Sequence, residues 1–169
     1  TKILVEEFPF TVHEFPSGRE HNGWLVPQSW WVERAEILQD HELIIDGANH
    51  PMGVFGYSQP FSGRISLDEL RSHLAHHPTR PDDLVYHCDL YYKVGRQDWG
   101  FTMPRNLAES LKPGDYEINL ETRFENGVMK VLEYHLQGET DDTIIINAHN
   151  CHAGQANDDL SGVVVGVEV

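Results

Sequence analysis

The most constraining feature of this sequence lies near its end, where an apolar run, a polar loop and a helix start follow one another directly. The run is Thr143-Ile144-Ile145-Ile146-Asn147-Ala148, which is typical of a strand buried on both faces. The loop contains glycine, and Leu160-Ser161-Gly162-Val163 then opens a predicted helix. A buried strand that leads through a loop into a helix predicts an α/β fold with a mixed sheet, with α+β as the alternative.

A second pattern predicts a long hairpin just before this unit. The run from Tyr116 to Phe124 alternates strictly between apolar and polar residues, as a half-buried strand does. Glu125-Asn126-Gly127 is a strong hairpin turn, and Val128 to Leu136 provides a returning strand. Shorter strands are expected upstream, at 8–15, 29–38, 42–46 and 84–92.

Two short helices are predicted between the strands. Ser66 to Ala75 carries a capping box, with Ser66 as N-cap and Glu69 three residues later. Leucines at positions 67, 70 and 74 share one face of this helix. The second helix runs from Pro104 to Leu111 and is stopped by Pro113 and Gly114.

The charge balance argues against two classes of partner. Lys and Arg total 12 and Asp and Glu total 27, so the formal charge is 12 − 27 = −15. Nucleic acids and anionic membranes attract basic surfaces, so we expect neither as a partner. Cys88 and Cys151 form no disulfide framework, which favours a reducing compartment, the cytoplasm. Charge alone would also fit an acidic interaction domain that binds a basic partner.

Both ends of the sequence suggest a piece of a longer protein. The chain starts at Thr1 without Met, and it stops at Val169 inside an apolar run that no Gly, Pro or basic residue closes. We therefore expect an N-terminal fragment.

The loop after the apolar run holds the residues with the strongest chemical case. Two His, one Cys and two Asp occur between His149 and Asp159, and they offer the N, S and O donors that suit zinc. The carboxyl end of a buried strand is where α/β sheets place their sites. The alternative is a polar loop that caps a helix, with Asp158 or Asp159 near the helix N-terminus.

The spacing in this loop resembles that of a known enzyme family. Ala148-His149 followed by Ala156-Asn157-Asp158-Asp159-Leu160-Ser161-Gly162 is similar to the metal loop of the two-zinc aminopeptidases, the zinc-dependent exopeptidase fold. The likeness is closest to an aminopeptidase-like branch with an inserted domain. Landmarks of that branch are matched in order along the chain, at 13–18, 24–27, 56–58, 66–70, 91–92 and 99–101.

The resemblance implies roles for individual residues. Asp158 matches the Asp that bridges two zinc ions, and the Asp158–Asp159 peptide matches one that is often cis. His152 matches the zinc-binding His when the branch is followed, whereas His149 matches it when positions are counted along the strand. We favour His152 as the ligand, with His149 second. Cys151 stands where an orienting Asp is usual, and we expect it to be a packing residue.

The resemblance also implies an organisation and an activity. Residues 1–21 and 114–169 would form a truncated zinc-hydrolase core, and 22–113 an inserted α+β or mainly β domain that acts as a lid or selects the substrate. The intact enzyme would cleave an amide bond in a small peptide or acyl amide through a hydroxide that bridges two zinc ions. The general base and further ligands lie downstream in the family, so no residue here is predicted to be catalytic and the fragment should be inactive.

Other candidates and alternatives remain. A non-catalytic binding module that keeps the fold without functional metal is the second hypothesis, and homo-oligomerisation is left open. We expect the remaining histidines to be exposed or to lie at helix ends, and we expect the aromatic cluster to pack in the core. The histidines are His50, His73, His76, His77 and His87, and the aromatic residues are Tyr86, Tyr91, Tyr92, Trp99 and Phe101.

Overall fold

The computed structural model describes residues 2–92 and 96–169, and these form two compact units. The first unit comprises Thr1–Ser29, Phe124–Asn150 and Ala156–Val169, and the second comprises Trp30–Arg123 and Cys151–Gln155. The second unit takes up most of the predicted inserted domain, 22–113. Its role as a lid or substrate-selecting element stays a prediction.

A four-stranded sheet forms the centre of the second unit. Its strands are β4 (Ser29–Gln39), β5 (Glu42–Asp46), β6 (Phe61–Ser66) and β9 (Asp115–Glu125), in the order β5-β4-β9-β6. β4 pairs with β5 and β6 with β9, both antiparallel. Alternate residues of β9, namely Tyr116, Ile118 and Leu120, are fully buried. Successive side chains of a strand point to opposite faces of a sheet. The alternation of apolar and polar residues in β9 therefore places its apolar side chains on the face that packs in the core.

Short helices and a small parallel pair complete that unit. α2 (Leu67–Ser72) starts at Ser66, whose Oγ accepts the Glu69 N–H at 3.3 Å, as the capping box predicts. The helix ends earlier than predicted, because Leu74–Ala75 forms β7 and pairs in parallel with β8 (Phe101–Thr102). α3 (Arg105–Ser110) lies within the predicted second helix.

The buried core of the second unit collects apolar side chains from all of these elements. It contains Ala35, Ile37, Val54, Ile65, Leu67, Leu70, Trp99, Phe101, Met103, Leu111, Tyr116, Ile118 and Leu120.

The first unit is built on a two-stranded antiparallel ribbon. β1 (Thr11–Pro16) pairs with β10 (Val128–Glu133) along its whole length. A tight hairpin of β2 (Glu20–His21) and β3 (Trp24–Leu25) follows β1. α1 (Lys2–Glu7) and α4 (Leu160–Glu168) lie near the two ends of the chain. The protein is therefore a mixed α/β chain, as predicted.

The predicted hairpin across Glu125-Asn126-Gly127 is wrong. β9 lies between β4 and β6, so both of its edges are already paired, and β10 pairs with β1 instead. The Gly127 backbone is tied to the residue after β1, because its N–H donates to Ser17 Oγ at 2.9 Å. The two strands therefore belong to separate sheets despite the turn sequence between them.

Two other predicted strands are absent from the described residues. The run 143–148 pairs with no described strand, and Ile144 and Ile145 are 90% and 83% exposed instead of buried. The region 84–92 contains a 3-10 turn at Asp89–Tyr92. Its backbone hydrogen bonds run from Gly56 N–H to the His87 carbonyl and from Tyr91 N–H to the Cys88 carbonyl, both 3.0 Å long, and they form no ladder with a strand. Apolar composition alone does not make a strand when no neighbouring strand supplies the ladder of hydrogen bonds.

Within the described ranges, no helix has the length and hydropathy required to cross a membrane.

Candidate metal site

The loop before α4 brings two of the predicted ligands together within the first unit. His149 Nε2 lies 2.9 Å from Asp158 Oδ1. Both side chains reach solvent, with 46% of His149 and 73% of Asp158 exposed. The His149 backbone N–H also donates to Asp159 Oδ2 at 3.2 Å, and the Asp158–Asp159 peptide is cis. An imidazole nitrogen and a carboxylate oxygen are thus presented side by side at an accessible position.

The start of α4 holds this loop in place. Ser161 Oγ donates to the Asn157 carbonyl at 2.7 Å, and the Ser161 N–H donates to the Ala156 carbonyl at 3.1 Å. Gly162 leaves room for the Asp159 carboxylate, which a Cβ at that position would displace. Asp159 occupies the N-cap position, yet its side chain makes no capping hydrogen bond. The interpretation of Asp159 as a helix cap therefore has no support from the geometry.

His152, the first-choice ligand, lies in the second unit. Its Nδ1 is 3.0 Å from the Ala153 carbonyl oxygen. A carbonyl can only accept, so Nδ1 must carry the proton if this contact is a hydrogen bond. The His152 ring stacks on Tyr86, with centroids 5.1 Å apart and planes at 29°. Its binding to metal stays a prediction.

The expectation that Cys151 packs in the interior is wrong. Its side chain is exposed, whereas Cys88 is half-buried. The polar neighbours of Cys151 in the loop keep the chain at the surface, and burial of free cysteine is only a statistical tendency.

The remaining histidines depart in part from expectation. His73 caps the end of α2 as predicted, but it is half-buried, and its Nδ1–H donates to the Trp99 carbonyl at 2.8 Å. His87 is also half-buried, because its ring stacks on Phe55 with centroids 3.7 Å apart. The His73 ring stacks on Trp99, with centroids 3.9 Å apart. Stacking on aromatic rings therefore removes these two imidazoles from full solvent exposure.

The aromatic cluster is part of the core only at one end. Trp99 and Phe101 are buried, as predicted, whereas Tyr86 and Tyr91 are half-buried. The prediction for the Tyr92 side chain lies outside the described residues. The contact between Tyr86 and His152 could not be foreseen, because no spacing rule links residues so far apart in the sequence.

Two known proteins from one organism are similar to nearly the whole of this chain. The chain is 32% identical over 164 residues to a Clostridium acetobutylicum protein provisionally named a polysaccharide biosynthesis protein with aminopeptidase-like domain, a match that covers 96% of this chain and 37% of that protein. A crystal structure from the same organism, provisionally named a peptidase, is similar with a TM-score of 0.78 and 30% identity over 97% of this chain and 38% of that one. The chain thus spans little more than a third of the length of these relatives, and it is related to aminopeptidase-like proteins.

A family model identifies the larger part of the sequence. Residues 29–123, more than half of the chain, match the model described as "Domain of unknown function (DUF2172)". This match takes in the four-stranded sheet except the last two residues of β9, since it runs from the start of β4 to residue 123. The chain therefore belongs to the family described as domain of unknown function DUF2172.

Proposed function

We propose that this chain forms part of an aminopeptidase-like hydrolase that cleaves an amide bond with the help of zinc, and that His149 and Asp158 are among its metal ligands. The observation that carries the proposal is the 2.9 Å approach of His149 Nε2 to Asp158 Oδ1 on an accessible loop. The relationship to aminopeptidase-like proteins supports the class of reaction.

His149 and Asp158 offer the types of donor atom that zinc binds. Zinc binds imidazole nitrogen and carboxylate oxygen, and the two oxygens of Asp158 allow one carboxylate to bind two ions. His149 and Asp158 are too few for a stable site, since a catalytic zinc has about three protein ligands. His152 remains a predicted ligand, and relatives more than twice as long as this chain leave room for the others.

The residues of the loop would each have a defined task. His149 would bind through Nε2, and the bond from its backbone N–H to Asp159 holds that part of the loop in position. Asp158 would supply negative charge and a carboxylate oxygen as a second ligand beside His149 Nε2. When bound, zinc would polarise the substrate carbonyl and lower the pKa of a water molecule. No described residue is proposed as the general base.

The same relationship supports the substrate class that we propose, a small peptide or acyl amide. Small peptides and acyl amides both present the amide that such a site would attack. Because one relative is provisionally named for polysaccharide biosynthesis, an amide carried on an amino sugar belongs in the same test. The competing hypothesis, a binding module without functional metal, predicts a folded protein that retains no zinc.

Metal analysis of the protein that contains this chain tests the proposal. We expect about two equivalents of zinc after dialysis against a zinc buffer, with hydrolysis of aminoacyl anilides or acylated amino sugars. Asp158→Asn should lose both the metal and the hydrolysis, whereas Asp141→Asn, an exposed acidic residue in the turn before the loop, should lose neither. A correctly folded protein that binds no zinc would overturn the proposal in favour of the binding module.

A further inference from the structure

His152 is supported by a row of aromatic rings within the second unit. The row, here called the tyrosine support, consists of Tyr91 and Tyr86. Tyr86 stacks on His152 with centroids 5.1 Å apart, and Tyr91 lies behind Tyr86 with centroids 6.3 Å apart. The planes of Tyr86 and His152 lie at 29°, a stacked contact, and those of Tyr91 and Tyr86 at 46°, a tilted contact.

The tyrosine support is fixed to the backbone at its far end. Gly56 is buried, and a Cβ at this position would overlap the ring of Tyr91. Tyr57 adds a further ring contact, with its centroid 4.5 Å from that of Tyr91. The ring of Tyr91 is therefore held between the bare Gly56 backbone and a neighbouring side chain.

Ring packing sets the orientation of the Tyr86 ring. This ring contacts Tyr91, at a centroid distance of 6.3 Å, and His152, at a centroid distance of 5.1 Å.

We propose that Tyr86, held by Tyr91 over Gly56, is a positioning residue that orients the imidazole of His152 so that Nδ1 donates to the Ala153 carbonyl and Nε2 is presented to a metal ion. This inference rests on the proposed function in that it assigns the metal-binding atom. A metal-binding histidine usually donates its other N–H to a carbonyl or carboxylate, which fixes the tautomer. Here the Ala153 carbonyl accepts from His152 Nδ1–H. The stacking of Tyr86 on the imidazole keeps Nδ1 directed at that carbonyl.

The first test needs no metal. Nitrogen NMR of the imidazole in the metal-free protein distinguishes the two neutral tautomers, and we expect His152 to be protonated at Nδ1. Tyr86→Ala should abolish this preference, whereas Tyr86→Phe should keep it because the ring remains. An unchanged tautomer in Tyr86→Ala would overturn the inference.

The second test measures zinc affinity by competition with a chelator. Tyr86→Ala should weaken binding by about tenfold, the lower end of the effect of removing a group that orients a ligand, and Tyr86→Phe should bind as the unchanged protein does. Gly56→Ala should act like Tyr86→Ala by displacing Tyr91. Gly63→Ala is the matched control, because a Cβ there would lie 3.4 Å from the Phe61 ring, an ordinary contact.

The outcomes separate the two proposals. If His152→Ala loses zinc while Tyr86→Ala binds it normally, the positioning role is overturned and the proposed function stands. If neither the unchanged protein nor any variant binds zinc, the proposed function fails. The tautomer measurement alone then decides whether Tyr86 orients His152.

Discussion

Ser17 and Gly127 are joined by reciprocal hydrogen bonds. The Gly127 N–H donates to Ser17 Oγ at 2.9 Å, and the Ser17 N–H donates to the Gly127 carbonyl at 2.9 Å. Ser17 Oγ in turn donates to the Pro27 carbonyl at 2.8 Å. One side chain thus ties the end of β1 to the start of β10 and to the chain that follows the β2–β3 hairpin.

Ser17→Ala should therefore lower the free energy of unfolding. The substitution leaves the Gly127 N–H and the Pro27 carbonyl without this partner, and each lost bond costs about 0.5–1.5 kcal/mol. Equilibrium urea unfolding measures the change. Thr143→Ala, which removes an exposed hydroxyl in the same unit, should have little effect, and an equal loss in both variants would contradict the assignment.

Truncation of the Leu70 side chain should lower the free energy of unfolding more than most substitutions. It is fully buried on α2 in the core of the second unit, and deletion of such a side chain leaves a cavity that costs about 2–5 kcal/mol. We expect Leu70→Ala to lower the unfolding free energy by that amount. Leu43→Ala is the control, because Leu43 is 56% exposed. Similar stability of the two variants would show that α2 does not pack as described.

Alkaline pH should destabilise the fold through ionisation of the half-buried Tyr57. Burial raises the pKa of Tyr57 from 10.0 to about 12. Between these values the unfolded chain has lost a proton that the folded chain keeps, so the unfolding free energy falls as pH rises from about 10 to about 12. Tyr57→Phe should reduce this fall in a series of urea unfolding curves. An unchanged slope would show that Tyr57 is not shielded in the folded protein.

Gly162 should be more sensitive to substitution than Gly166 in the same helix. A Cβ at Gly162 would overlap the Asp159 carboxylate, which accepts from the His149 backbone, so Gly162→Ala should displace the loop and weaken zinc binding by about tenfold. At Gly166 a Cβ would lie 3.3 Å from Ile146 Cγ2. Gly166→Ala should keep zinc affinity and gain helix propensity. Competition titrations of both variants test this difference, and equal affinities would contradict it.

Local chemistry predicts part of this fold accurately. β5 occupies Glu42–Asp46 as expected, and the capping box places the start of α2 at Ser66. Both features depend on residues close in sequence, where alternation and capping rules are strongest.

Long-range pairing is where prediction from the sequence fails. The turn sequence at Asn126-Gly127 does not produce pairing between β9 and β10. β9 pairs with β4 and β6, and β10 pairs with β1. The isoleucines after Thr143 are apolar enough for a central strand, yet no described strand pairs with them. For the candidate site, the family resemblance singles out His152, His149 and Asp158, and their binding of metal stays a prediction. The structure places His149 beside Asp158, and nothing in the sequence hints at Tyr86 beside His152.

Anomalous X-ray scattering at the zinc edge tests the central claim most directly. Crystals of the protein that contains this chain would be grown with zinc, and difference maps would be calculated on both sides of the edge. We predict an anomalous peak within about 2.0–2.2 Å of both His149 Nε2 and an Asp158 carboxylate oxygen. A map with zinc bound elsewhere, or with none beside His149 and Asp158, would contradict the claim.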